Sequence, residues 1–222
     1  MDTTATAIES FKTGPMDNNV YVLIDEDTGR CAVVDPGIDS DHILGAVQGR
    51  GLTIAAIVNT HGHFDHVAGN ALFLRAAETG AGLGSVSGIP LYRHPLDEEM
   101  SLRADSIGAS LGIPVEASPP ATHTLGEGDT FTFGPHRFRV LHVPGHSPGS
   151  VVLVGDGLLI GGDVLFRGSI GRTDLTGGSL PQLLSGIRAK ILPLPDDTRV
   201  LPGHGPETTV GRERRANPFL ER

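Results

Sequence analysis

The 222-residue chain carries 17 Lys and Arg against 26 Asp and Glu, a formal charge of −9 at pH 7, and 38% of its residues are hydrophobic. That acidic balance excludes nucleic acid and anionic membrane as principal partners, since both need a basic footprint, while the apolar fraction suffices for a packed core. The single cysteine, Cys31, rules out an internal disulfide and any structural zinc site built on several thiolates. No apolar run approaches the ~20 residues of a membrane helix, and the opening residues lack the basic-then-apolar layout of a secretion signal. A soluble, cytoplasmic protein is expected.

In chain order, residues 19–24 (NVYVLI) and 31–34 (CAVV) read as a hairpin closed by the turn-rich DEDTGR. Residues 39–47 read as a short helix with an Asp or Ser cap. Segment 52–58 is an apolar run of strand length that leads into Asn59-Thr60-His61. Residues 67–78 have helical spacing, with Ala68, Leu72 and Ala76 on one face, and the glycine-rich stretch 80–88 reads as a flexible loop. A strand at 89–92 precedes a helix predicted over 96–111, with Leu96, Met100, Ala104, Ile107 and Leu111 as its apolar face. The second half repeats the rhythm, with strands at 130–133, 138–143, 151–154 and 158–162, a helix over 180–192 and a short strand at 199–201. Two strand-rich halves, each with helices, predict a layered architecture and one domain spanning 1–222.

Two counts are unusual. Glycine occurs 31 times, about twice its ~7% average usage. Three of the ten histidines fall within Thr60-His61-Gly62-His63-Phe64-Asp65-His66. This HxHxDH block follows a buried-type strand and precedes a helix. Neutral imidazoles suit zinc, iron and related metals, and a carboxylate adds a hard oxygen and negative charge. Four ligands in so short a stretch crowd one tetrahedral ion, whereas a turn between them can send His61 and His63 to one metal and Asp65 and His66 to its neighbour. Three further candidates follow strands: His146 in Val143-Pro144-Gly145-His146-Ser147-Pro148-Gly149, Asp163 in Ile160-Gly161-Gly162-Asp163, and His204 in Leu201-Pro202-Gly203-His204-Gly205-Pro206. Each has a glycine before it, which lets the backbone turn tightly and approach an ion. The bland alternative, polar residues satisfied in turns, does not account for their recurrence after glycine-rich strand ends.

HxHxDH followed by a later His, Asp and His in that order resembles the metallo-β-lactamase superfold, and within it the glyoxalase II (hydroxyacylglutathione hydrolase)-like group of small hydrolases. Asp35-Pro36-Gly37 and Gly171-Arg172-Thr173-Asp174 belong to the same resemblance, which covers residues 19–219. It implies an α+β fold, a four-layer αββα sandwich with the metal site at one edge of the two sheets. It also implies His61, His63 and His146 at a first metal site, Asp65, His66 and His204 at a second, and Asp163 bridging them. The cofactors would be two divalent ions, Zn2+ first and Fe or Mn as alternatives. Ions ~3.5–4 Å apart can share one water and lower its pKa toward neutrality; the bridging hydroxide attacks a carbonyl carbon, and Asp65 orients it. No protein acid is required, which suits a thiolate leaving group. Hydrolysis of a thioester of the hydroxyacylglutathione type, or of a related acyl bond, is therefore expected, with a small acyl-thiol as partner.

Glyoxalase II itself carries a helical C-terminal domain that supplies much of the glutathione pocket; so few residues follow His204 here that another acyl-thiol or a broader substrate range is expected. Class B β-lactamases generally lack a histidine directly after the motif aspartate, so His66 argues against antibiotic hydrolysis. One alternative is a persulfide dioxygenase, which resembles this fold and uses one iron; His61, His146 and Asp163 match its ligands. A non-catalytic metal-binding scaffold is another, and the complete ligand set speaks against it. Among the remaining residues, His42, His123 and His136 read as surface positions and His142 as a sheet-face one. His94, with Asp97 in His94-Pro95-Leu96-Asp97, can reach the cleft behind the ligands. Asp35 reads as a turn residue close to the site. Arg172 and Asp174 read as an ion pair fixing the loop after Asp163, with Arg172 also the candidate substrate contact. Cys31 reads as buried packing, and the basic stretch 212–215 as a solvated helix face.

Overall fold

The computed structural model describes residues 7–79 and 88–221. Strands β1 (Ala7–Thr13), β2 (Asn18–Asp25) and β3 (Arg30–Val34) form an antiparallel meander. Helix α1 (Asp41–Gly49) then crosses back so that β4 (Thr53–Val58) lies parallel to β3, the longer connection that a parallel pair requires. Helices α2 (Phe64–Val67) and α3 (Asn70–Thr79) follow, then β5 (Leu91–Arg93), a 3₁₀ turn at Pro95–Asp97, α4 (Glu98–Leu102), α5 (Ala104–Ser110) and β6 (His123–Thr124). The first sheet has the order β1-β2-β3-β4-β5-β6. The second half supplies β7 (Thr130–Phe133), β8 (His136–His142), β9 (Val151–Gly155) and β10 (Leu158–Gly162), then the hairpin β11 (Leu165–Phe166) and β12 (Ser169–Ile170). Helix α6 (Leu180–Gly186) continues into a π turn at Ile187–Ile191, and β13 (Arg199–Pro202), β14 (Thr208–Thr209) and α7 (Val210–Ala216) complete the order β14-β13-β10-β9-β8-β7.

Side-chain alternation fixes the layers. All eight residues of β2 are buried, because both faces of the strand are covered. Tyr21 and Leu23 face Phe131, Phe138, Val140 and Leu153 of the second sheet. Val20, Val22 and Ile24 face outward onto Ile43 and Val47 of α1 and Phe73 of α3. The outward residues of the second sheet, Leu141, Val152, Leu159 and Val200, meet Leu183 of α6, Ile187, Ile191 and Val210 of α7. Two sheets packed face to face with helices outside them make the four-layer αββα sandwich. Among the described residues no helix is long and apolar enough to cross a membrane.

Several elements differ from their sequence expectation. Strand β1, with its polar Glu9, Ser10 and Lys12, and the two-residue β6 carry no apolar run and escape pattern reading. The helix expected over 67–78 is two helices. The break falls at Ala68-Gly69, where the Gly69 amide donates to Pro36 O at 2.9 Å, and Asp65 and His66 lie inside the short α2. The helix expected over 96–111 is also broken, at Arg103, and it is rotated. Leu96 and Leu111 are 60% and 61% exposed, while Asp97, Ser101, Ala104 and Gly108 form the buried face. Asp97 turns that face inward by accepting three hydrogen bonds described below, and these outweigh the apolar pattern. His136 is buried rather than superficial, its Nδ1 2.9 Å from Asp156 Oδ2; His42 and His123 are exposed as expected, and Cys31 is buried. Apart from Gly88, the glycine-rich stretch 80–88 lies outside the described residues.

The rotated face makes a direct prediction. Leu111→Ser should change unfolding free energy by no more than about 0.5 kcal/mol, whereas Ala104→Leu should destabilise by about 1–3 kcal/mol through overpacking. Urea denaturation of both variants checks the order, and the reverse order would contradict the register.

Candidate metal centre

The seven residues singled out by the motif come from four strand ends. His61 and His63 follow β4, with Asp65 and His66 in α2; His146 follows β8, Asp163 follows β10 and His204 follows β13. These ends meet because the two sheets are stitched together along that edge. The Asn19 amide donates to Gly203 O at 2.7 Å and the Val151 amide to Thr60 O at 2.8 Å. The Tyr21 hydroxyl crosses between sheets to donate to Pro202 O at 2.7 Å. Close approach is also built in: a Cβ at Gly203 would fall 2.2 Å from Asp163 Oδ1.

Four of the five rings are oriented from behind. His146 Nδ1 lies 2.8 Å from Arg172 O and His204 Nδ1 lies 2.9 Å from Met16 O. A carbonyl only accepts, so both Nδ1 atoms carry the proton and both Nε2 lone pairs face the centre. His66 Nδ1 donates in the same way to Asp35 Oδ2 at 3.3 Å. The Thr60 hydroxyl gives its own proton to Asp35 Oδ2 at 2.6 Å and so accepts from His61 Nδ1 at 3.1 Å. Asp35, held at φ +53, also accepts from the Thr60 amide at 2.7 Å. It therefore does more than turn the chain: it fixes two of the imidazoles. Such outer partners set tautomer and ring direction in metal sites generally.

The inward atoms form two clusters. His61, His63 and His146 make one, and Asp65, His66 and His204 the other. In the first, His146 Nε2 lies 2.8 Å from His63 Nδ1 and 3.3 Å from His61 Nε2. In the second, His66 Nε2 and His204 Nε2 are 3.2 Å apart, and Asp65 Oδ2 is 3.5 and 3.4 Å from them. Asp163 spans both, its Oδ2 3.5 Å from Nε2 of His146 and of His204 and its Oδ1 3.5 Å from Nε2 of His66. The lone pairs of His61 Nε2 and His146 Nε2, set by the outer partners of these rings, point at one another across 3.3 Å and repel unless a positive charge lies among them. Asp163 Oδ1 is moreover buried without a hydrogen-bond donor, a costly state that a cation relieves. The nitrogen and carboxylate donor set fits two divalent ions sharing Asp163.

Electrostatics separates the clusters. Burial, followed by its imidazole neighbours, pulls His61 well below the ordinary range, and burial and His146 bring His63 down to about 3. Burial also acts on His66, but Asp65, Asp163 and Asp35 outweigh it and push the ring up to about 10. His204 is raised against burial by Asp65 and Asp163. Asp65 is held below the usual carboxylate range despite burial, by His66, His204 and the amide of Asn18, which donates to Oδ2 at 2.9 Å.

Other expectations resolve differently. The Arg172 side chain is exposed and pairs with Asp174 through two hydrogen bonds of 2.8 Å, the loop ion pair that the sequence suggests; its carbonyl is what touches the centre. His94 stacks on His142, ring centroids 4.2 Å apart, and His142 Nε2 donates to Pro148 O at 2.8 Å. Asp97, three residues along, is the member of the pair that reaches the ligand loops. Asn18 had no sequence signal beyond its neighbourhood with the Asn19 strand. Arg214 and Arg215 pair with Asp196, so the basic stretch on α7 is partly tied to the fold.

With this geometry in place, comparison with known proteins is decisive on family. The model of the metallo-beta-lactamase superfamily matches residues 13–204, and the chain belongs to that superfamily. A probable metallo-hydrolase of Bacillus subtilis, YqgX, is 42% identical over 214 residues, covering 93% of this chain and 94% of that protein. The hydroxyacylglutathione hydrolase GloC of Haemophilus influenzae is 35% identical, covering 89% and 91%. Among solved structures, the BLEG-1 B3 metallo-beta-lactamase superposes with a TM-score of 0.85 at 39% identity, covering 97% of this chain and all of that one. TTHA1623 in a di-iron-bound form gives 0.84 at 38%, covering 96% and 100%.

The charge asymmetry gives a pH prediction. A cation entering the Asp65–His66–His204 cluster competes with protons on rings whose pKa values are raised, so protons must leave as it binds. Apparent Zn2+ affinity there should rise with pH up to about 10, the His66 value, by roughly tenfold per unit for each proton displaced. Calorimetry in buffers of different ionisation enthalpy counts those protons, and a count of zero would contradict the assignment.

Proposed function

We propose that the chain is a dinuclear metal-dependent hydrolase that cleaves a thioester of the hydroxyacylglutathione type or a related acyl bond. The observation that carries this reading is Asp163, whose two oxygens face both ligand clusters at 3.5 Å. In this reading His61, His63 and His146 hold one ion, Asp65, His66 and His204 hold the other, and Asp163 is shared. Ions so held supply an activated water at neutral pH and a Lewis acid for the carbonyl oxygen. The chain's own part is to fix directions. Asp65, anchored by Asn18, offers Oδ2 as the acceptor that aims an attacking water, and the outer partners Asp35, Thr60, Arg172 O and Met16 O keep the rings from swinging.

Once the second-cluster rings have given up their protons to a bound cation, the ligand atoms are all lone-pair donors, and a thiolate is a leaving group that needs no proton from them. The name of the Haemophilus relative supports an acyl-glutathione substrate. The di-iron form of TTHA1623 supports iron as well as zinc as a resident metal. Arg172, exposed beside the centre through its own loop, is a candidate contact for an anionic substrate group.

The test is elemental analysis of the purified protein together with turnover of lactoylglutathione, a simple thioester, a lactone, a β-lactam and glutathione persulfide. Two equivalents of metal and highest kcat/KM on a thioester are expected. One iron with oxygen uptake on the persulfide would overturn the reading in favour of a dioxygenase, and highest activity on the β-lactam in favour of an antibiotic hydrolase. Asp163→Asn should lower kcat/KM by more than the roughly 10–100-fold typical of an outer-shell partner and lower the metal content as well.

A further inference from the structure

A buried carboxylate outside the motif ties the two ligand loops of the three-histidine cluster to each other. Asp97 ends the 3₁₀ turn after β5 and is 0% exposed. Its Oδ2 accepts from the Gly62 amide at 2.8 Å and from the Ser147 hydroxyl at 2.6 Å. Its Oδ1 accepts from the Gly149 amide at 2.6 Å. Gly62 separates His61 from His63, and Ser147 adjoins His146. One side chain thus holds the backbone segments that carry three imidazoles. Ser101, one helical turn on, adds a hydrogen bond to Gly62 O at 3.3 Å, so Gly62 is gripped at both its amide and its carbonyl.

The packing leaves no slack. A Cβ on Gly62 would lie 2.8 Å from Asp97 Cβ, and one on Gly149 would lie 2.6 Å from the Asp97 carboxyl carbon. The backbones of Gly62 and Gly149 therefore both close directly on Asp97. In the other cluster the His66 and His204 rings are directed by Asp35 and by Met16 O, and Asn18 holds the Asp65 carboxylate.

We propose that Asp97 is a positioning residue that sets the spacing of His61, His63 and His146, and hence the affinity of that cluster for a divalent ion. The proposal rests on the reading of the centre as dinuclear. Asp97 accepts from amides and a hydroxyl, and its negative charge lies behind the cation-binding atoms without touching them. Replacing it with an amide of the same shape sets an NH2 group against N–H or O–H donors on one side. The two loops then lose their common anchor while the fold's apolar core is unchanged.

The experiment compares wild type, Asp97→Asn and Ser147→Ala by Zn2+ titration against a competing chelator, with occupancy of each cluster read from anomalous diffraction of Zn2+-equilibrated crystals. Asp97→Asn should weaken the three-histidine cluster by about 10–100-fold and leave the Asp65–His66–His204 cluster within about threefold of wild type. Ser147→Ala, which removes one of the three hydrogen bonds, should weaken the same cluster by a smaller factor. Equal weakening of both clusters, or wild-type binding at both, would overturn the positioning role. Should Asp97→Asn fail to fold, Ser147→Ala decides alone, and wild-type affinity in that variant would overturn the proposal. A wild-type protein that binds no Zn2+ would instead overturn the metal-centre reading and the proposal with it.

Discussion

The centre collects, in one small volume, groups that repel each other: ring nitrogens with inward lone pairs and two carboxylates. What makes this collection possible is the seam where the two sheets meet. There the Asn19 amide, the Val151 amide and the Tyr21 hydroxyl hand hydrogen bonds from one half of the chain to the other. Burial of Phe131, Phe138, Val140 and Leu153 against Tyr21 and Leu23 supplies the favourable free energy that holds the seam shut. The polar edge is therefore assembled at the cost of the apolar middle. A cation placed among these atoms would turn the repulsion into attraction.

Much of this was legible in the residues. Strands with unbroken apolar runs, such as β2 and β4, declare themselves because both faces are covered. The candidate ligands stand out because metal chemistry restricts their type and tight turns favour glycine beside them. What could not be read is whatever depends on a distant partner. The helix after β5 presents Leu96, Met100, Ile107 and Leu111 at helical spacing, yet it turns Asp97 and Ser101 inward because Gly62, Ser147 and Gly149 offer donors there. His136 looks superficial until Asp156 is brought to it by the β9–β10 turn. Strand β1 has no pattern of its own and exists because β2 offers it a free edge.

Similar identity to proteins named hydroxyacylglutathione hydrolase, B3 metallo-beta-lactamase and probable metallo-hydrolase shows how little the centre alone says about which bond is cut. Reaction type follows from the ligands, and substrate choice from the side chains around them. In this chain the segment from Gly171 to Ser179 stands beside His146 and carries exposed Leu175, Arg172 and Asp174. Its outward groups are paired with each other rather than with the ligands, so they are separable from the metal chemistry.

The way two of the rings are aimed has an evolutionary consequence. His146 and His204 are directed by peptide oxygens of Arg172 and Met16, not by those residues' side chains. Every amino acid offers the same oxygen. Positions 172 and 16 can therefore drift to any residue that keeps the local backbone path, and new specificities can be sampled at the mouth of the site while the imidazoles stay in register.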